Sequence, residues 1–221
     1  MTIDFYYMDG NSPSRIVQLV AKNVGVELNP KHLDLSKKEQ LSPEFIKINP
    51  QHCIPTIVDD GFVLWESNAI ATYLIQKYGK DDLLYPQKLE QRAVIDQRLY
   101  YNNGVFAKSF GDYYIPLMTG SRTPDKEKLK KIEEAFDFLD KYLETHKFIA
   151  GDTLTVADIA LSVTVCTFTV AKFDRSAFTN VNKWYDKIQD LIVGFEEFNG
   201  VETLSKIHED YLKILESVLK E

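Results

Sequence analysis

Between Ile54 and Leu74 the chain runs a strand, a tight turn, a returning strand and a helix entry together without a spacer. Ile54, Pro55, Thr56, Ile57 and Val58 form a β-branched run led in by a proline. Asp59-Asp60-Gly61 is a strong hairpin turn signal, and Phe62-Val63-Leu64-Trp65 is the strand that returns. Glu66-Ser67-Asn68 then opens an apolar-periodic helix through Ala69, Ile70, Tyr73 and Leu74, with Ser67 as the expected N-cap. A hairpin that ends in Glu-Ser at a helix start gathers a carboxylate, a hydroxyl and free backbone N–H groups at one spot. Such a spot suits a small zwitterionic ligand. Taken alone, the same residues also read as a surface hairpin with a trans proline at a strand start.

Alternating strands and helices surround this hairpin. Ile3–Tyr7 reads as a strand, and a helix follows from about Arg15 to Val24 with Gly25 as its stop. Val26–Leu35 gives a second strand, and Ser42-Pro43-Glu44-Phe45 starts a helical turn that ends before Asn49-Pro50. The helix opened by Glu66-Ser67 reaches about Tyr78. The order β-α-β-α-β-β-α is that of a thioredoxin-like α/β domain, placed at residues 1–80, with a linker at 81–87. From residue 88 to 221 the helical period dominates. Expected helices cover Leu89–Phe110, continuing to about Leu117, then a segment starting at Pro124. Thr155–Ala171, Asn180–Ile192 and Gly200–Leu219 complete an all-α second domain.

At 221 residues the chain is long enough to bury one large or two small cores. Hydrophobic content is 44%, and the absence of an apolar run near 18 residues argues against a membrane span. The start, Met1 to Gly10, lacks the basic region of a signal peptide and reads as a structural strand. Cys53 and Cys166 lie far apart without metal-ligand partners, which fits a reducing, cytoplasmic compartment and no metal. A net charge of −7 argues against nucleic acid and anionic membranes.

Thr155-Val156-Ala157-Asp158 is a capping box, in which Asp158 reaches back to the Thr155 N–H. Its role is folding, despite the apolar neighbours of Asp158. Cys166 on the same helix is expected to be a small buried hydrophobe.

With these features, the chain resembles the cytosolic glutathione transferases over nearly its whole length. Ile54-Pro55 and Glu66-Ser67 resemble that family's glutathione site, and Phe148-Ile149-Ala150-Gly151-Asp152 with the capping box resembles its buried C-terminal helix. Asp4-Phe5-Tyr6-Tyr7, Val20-Ala21-Lys22 and Pro50-Gln51-His52 look like the insect delta class, with the epsilon class close behind. The resemblance implies a homodimer that conjugates reduced glutathione, a co-substrate, to hydrophobic electrophiles in detoxification. It implies that His52, Cys53, Ile54 with a cis Pro55, Glu66, Ser67 and Asn68 hold the tripeptide. Asn68 stands where the class carries an arginine, so a charged ligand contact is missing there.

Glutathione conjugation needs a thiolate, and a free thiol titrates near about 8.5. The class supplies a serine from a Ser-x-Pro-x-Arg loop to lower that value, whereas this chain reads Gly10-Asn11-Ser12-Pro13-Ser14-Arg15. Aligning proline and arginine puts Asn11 in the donor slot. The Asn11 amide can donate directly, Ser12 can be brought in by a shift of the loop, or backbone N–H groups and the helix dipole can act alone. We favour Asn11. Absence of a cysteine in this loop argues against relatives with a nucleophilic thiol. The resemblance places the electrophile between the domains, against Tyr6, Pro13, Phe106, Ala107, Phe110, Tyr113, Tyr114, Leu117 and Met118, with Phe173 and Phe198 as weaker candidates. Aromatics at helical spacing also serve as core, and about half of these are expected to do so. The missing serine keeps open a non-catalytic glutathione or hydrophobic-ligand carrier, and glutathione-dependent peroxidase or isomerase activity is a further alternative.

Overall fold

The computed structural model describes residues 2–121 and 123–219. Its first half contains β1 (Ile3–Tyr7), α1 (Ser12–Val24), β2 (Leu28–His32), α2 (Pro43–Ile48), β3 (Thr56–Asp59), β4 (Phe62–Trp65) and α3 (Ser67–Tyr78). The strands form one sheet ordered β2-β1-β3-β4, parallel between β1 and β2 and antiparallel elsewhere. Strand alternation sends Ile3, Phe5 and Ile57 into a core shared with Ile16, Leu19 and Val20 of α1 and Ile70 and Leu74 of α3. This is the thioredoxin-like arrangement expected from the element order.

Two boundaries differ from the sequence expectation for local reasons. The second strand begins at Leu28, because Val26 N–H is spent on Ala21 O (2.9 Å) in the turn that stops α1. Gly25 makes that turn with φ 77°, a left-handed conformation that glycine adopts without cost. At α3, Glu66 rather than Ser67 is the N-cap residue, and Ser67 is already the first helical residue.

The second half is helical: α4 (Leu89–Tyr101), α5 (Ala107–Thr119), α6 (Lys126–Tyr142), α7 (Val156–Val170), α8 (Thr179–Leu191), α9 (Phe195–Asn199), α10 (Val201–Ile207) and α11 (Glu209–Leu219). The single helix expected over 89–117 is interrupted by a π turn at Asn102–Phe106. Asn102 is buried there, and its side-chain oxygen accepts from Thr164 Oγ1 at 2.8 Å. The helix expected over 200–219 is divided in two around His208. Helix α7 is buried almost throughout and carries the capping box at its start. Asp158 accepts from Ile149 N (2.9 Å), Thr155 N (2.8 Å) and Trp184 Nε1 (2.9 Å), so one carboxylate ties three segments together. Cys166 is fully buried, as expected. Among the described residues no helix is long and apolar enough to cross a membrane.

Candidate functional site

Strand register brings the candidate residues to one edge of the sheet. Thr56 pairs with Tyr6 on one side and with Trp65 on the other. Pro55 precedes Thr56, Glu66 follows Trp65, and the loop to Asn11 follows β1. Three chain segments far apart in sequence therefore leave the sheet side by side. The Ile54-Pro55 bond is cis. Asn49, fully buried, braces the loop before it: its Nδ2 donates to Cys53 O (3.1 Å) and Thr56 Oγ1 (2.9 Å). Thr56 Oγ1 donates back to Cys53 O at 2.8 Å. His52 and Glu66 are exposed and have φ of 44° and 73°. That conformation is uncommon for side-chain-bearing residues, and both stand at the rim of this edge.

Asp59 anchors the Glu66–Ser67 corner from beneath. Its carboxylate accepts from Tyr73 OH (2.7 Å), Lys77 Nζ (2.8 Å) and Tyr78 OH (2.7 Å), fixing the end of β3 to α3. Burial alone would push this carboxyl up; the donors from Lys77, Tyr73 and Tyr78 together outweigh it and hold the group below its ordinary value.

The loop after β1 builds the other side. Asn11 is the N-cap of α1: its Oδ1 accepts from Ser14 N (3.0 Å) and Ser14 Oγ (2.8 Å). Ser12 Oγ lies 2.9 Å from Thr167 Oγ1 on α7 and accepts from Arg15 Nη2 at 2.9 Å. Asn11, Ser12 and Arg15 border a cavity of about 250 Å³ whose other walls include Phe110, Ile115, Met118, Val170, Leu204, Tyr211 and Leu212. His208 also lines it, with Nε2 donating to Gly10 O at 3.3 Å. Burial is the larger cause, and the Arg15 charge the lesser, of a His208 value below the ordinary imidazole.

Several expected pocket residues lie elsewhere. Tyr6 sits on the α2 side of the sheet, its ring 5.2 Å from that of Phe45. Phe106, Tyr113, Tyr114 and Leu117 are buried in the helical core, where Phe106 packs edge-on to Phe136 at 4.9 Å. Pro13 and Ala107 do not line the cavity, whereas Phe110 and Met118 do. Phe173 stacks on Phe136 within the core, and Phe198 borders a separate groove beside Lys22. Asn68 turns away from the sheet edge: its Nδ2 donates to Leu99 O (3.3 Å) and Asn103 Oδ1 (3.2 Å) of the helical half. Sequence reasoning missed Asn49, Thr167, Leu204, His208, Tyr211 and Leu212. The last four sit beside the break in the C-terminal helix, which the unbroken periodicity of 200–219 concealed. Among the described residues no cluster of side chains is arranged to hold a metal.

Residues 1–76 match the family model for the glutathione S-transferase N-terminal domain, and residues 85–191 that for its C-terminal domain. The fold is similar to a delta-class glutathione transferase of Nilaparvata lugens, at 45% identity over 98% of this chain and 99% of that one, TM-score 0.91. An epsilon-class enzyme of the housefly, Musca domestica, is 33% identical over 98% of both chains, TM-score 0.87. A glutathione transferase homologue of Drosophila mojavensis, solved with bound glutathione, is 29% identical over 98% of this chain and 97% of that one, TM-score 0.84. The chain belongs to the glutathione S-transferase family, and it is similar to insect enzymes of the delta and epsilon classes.

Proposed function

We propose that this transferase conjugates reduced glutathione, as co-substrate and without a metal, to apolar electrophiles held in the cavity beside Asn11. The tripeptide lies along Cys53, Ile54 and Pro55, with its γ-glutamyl end at Glu66 and Ser67 and its glycyl end toward His52. The observation that carries this reading is the register Tyr6–Thr56–Trp65, since it aligns the Asn11 loop, the cis proline and Glu66 on one sheet edge. Asn11 is the direct donor to sulfur: with Oδ1 occupied by Ser14, the two N–H groups of the amide are the part left to donate. The division into 1–80 and 88–221, joined by 81–87, assigns tripeptide binding to the first part and electrophile binding mostly to the second. Exposed apolar side chains on β4 and α4, Phe62, Leu89 and Tyr100, support a homodimer that covers them. Two unpaired cysteines support a cytoplasmic setting.

A non-catalytic carrier on the same fold is the second reading, favoured by an asparagine where the class uses a serine. Retention on immobilised glutathione, the ultraviolet thiolate signal of the bound tripeptide and turnover of a chloronitrobenzene substrate decide between them. The expected result is binding, thiolate and turnover together; retention without the other two overturns the enzyme reading.

A further inference from the structure

Arg15 is 2% exposed, and none of its partners among the described residues is a carboxylate. Nη1 donates to the Asn199 side-chain oxygen, while Nη2 donates to Ser12 Oγ at 2.9 Å and Thr167 Oγ1 at 2.6 Å. Nε is buried without a partner. The ionisable groups around it carry no compensating charge at neutral pH. Burial pushes Cys166 and Tyr185 up, and pushes His208 down. A buried, unneutralised cation is costly, and a fold normally pairs it. This one borders the cavity, next to the N-terminus of α1, whose dipole adds positive potential at the same place.

Hydrogen accounting shows where that charge is directed. Thr167 donates its hydroxyl proton to Val163 O at 2.9 Å, so its oxygen is left as an acceptor for Arg15 and for Ser12. Ser12 Oγ accepts from the guanidinium and keeps its own proton to give. A hydroxyl whose lone pair is held by a cation is a stronger donor. Thr167 takes that proton in the resting arrangement, and an anion arriving at the cavity mouth competes for it.

We propose that Arg15 is the positioning residue of the thiolate site: its unpaired guanidinium, acting through Ser12, supplies the positive charge that holds the glutathione sulfur as an anion beside Asn11. This inference rests on the glutathione reading given above. It adds a missing counter-charge that neither a neutral asparagine nor a neutral serine provides. It also accounts for a cation kept in the interior with hydroxyl, amide and thiol neighbours and no carboxylate among the described residues.

The test compares wild type, Arg15→Met, Arg15→Lys and the Arg15→Met/Ser12→Ala pair. The bound thiol is titrated by its ultraviolet thiolate absorbance, S-methylglutathione affinity is measured by calorimetry, and unfolding is followed in parallel. Arg15→Met is expected to raise the bound thiol's pKa by about 1–2 units, the size of effect one nearby charge has. Turnover at pH 6.5 then falls about tenfold or more, one pKa unit being a factor of ten in thiolate fraction. S-methylglutathione has no thiol to ionise, so its affinity changes less than about twofold. Arg15→Lys keeps the charge and restores most of the shift, and Ser12→Ala adds little once Arg15 is gone. Thermal stability of Arg15→Met reports the balance between the buried charge removed and the Asn199 and Thr167 oxygens left without their donor, and is read only to establish that the variant is folded. A folded Arg15→Met whose thiol titrates as in wild type overturns the proposal. So does Arg15→Lys titrating a unit or more higher than wild type, which decides the matter even where Arg15→Met does not fold. If wild type fails to bind S-methylglutathione, the glutathione reading itself falls, and this inference with it.

Discussion

The Asn11 side-chain oxygen accepts hydrogen bonds from both the backbone N–H and the hydroxyl of Ser14, at 3.0 and 2.8 Å. One end of the amide is thereby fixed to the helix. If Asn11 is the donor proposed above, capping and sulfur activation fall to different atoms of one residue, and substitutions can separate them.

Asn11→Asp keeps a good N-cap at a favourable dipole position, but puts a carboxylate oxygen where the N–H groups were. Stability should stay within about 1 kcal/mol of wild type, while loss of a bond to a charged partner costs about 1.5–3 kcal/mol in turnover. Asn11→Ala should lose both, with about 1 kcal/mol of stability going with the cap. Ser12→Ala should lower turnover less than either. Chemical denaturation alongside steady-state kinetics checks the separation; a fully active Asn11→Asp would show that the donor lies elsewhere.

Asp59 supports the site without touching it. Asp59→Asn replaces charge-assisted bonds from Lys77, Tyr73 and Tyr78 by neutral ones, a loss of about 1–2 kcal/mol. Because the folded carboxyl titrates below its ordinary value, its contribution is present above about pH 4. It fades as pH falls through the folded value, so Asp59→Asn should flatten the acid limb of the stability curve. Loosening of β3 from α3 should also raise the KM for glutathione. An unchanged KM at reduced stability would confine Asp59 to folding.

What the sequence shows of this molecule is what local chemistry determines. The turn at Asp59-Asp60-Gly61, the stop at Gly25 and the Thr155–Asp158 box each depend on a few adjacent residues, and each appears where expected. Ser67 was misread by one position because Glu66, not a serine, takes the positive φ that turns the chain into α3. The apolar wall was harder to read. Phe106, Tyr113, Tyr114 and Leu117 share a helical period with Phe110 and Met118, and period alone does not say which side meets α7 and which meets the cavity. Arg15, Thr167 and Asn199 were illegible as a group, since their contact joins residues more than 150 positions apart.

His208 holds the C-terminal helix to the Gly10 carbonyl, and Gly10 leaves it room: a Cβ there would lie 2.6 Å from Nε2. Its folded value lies below the ordinary 6.5, through burial first and the Arg15 charge after it. The unfolded or undocked imidazole therefore takes up a proton before the docked one does. Stability of this contact should be full above about pH 6.5 and decline as pH falls from there to the lower folded value. The protection of α11 amides against hydrogen exchange, taken relative to the intrinsic rate at each pH, should be lower at pH 5.5 than at pH 7.5, and His208→Gln should remove most of that difference. Equal protection at both pH values in wild type would show that His208 does not control the docking.

Leu212 and Leu117 test which apolar residues meet the electrophile. Leu212 lines the cavity from α11, whereas Leu117 is buried in the core of the helical half. Leu212→Trp should fill part of the cavity and raise the KM for a bulky apolar electrophile about fivefold or more, roughly 1 kcal/mol or more of lost binding. The KM for glutathione should stay as it was, because none of the residues proposed to hold the tripeptide lines this cavity. Leu117→Ala should do the reverse, costing about 2–5 kcal/mol of stability through the cavity it leaves and changing neither KM in the folded enzyme. Kinetics with a small and a bulky electrophile, together with denaturation of each variant, measure both effects. Selectivity that follows Leu117 rather than Leu212 would move the electrophile site out of this cavity and into the space beneath α5.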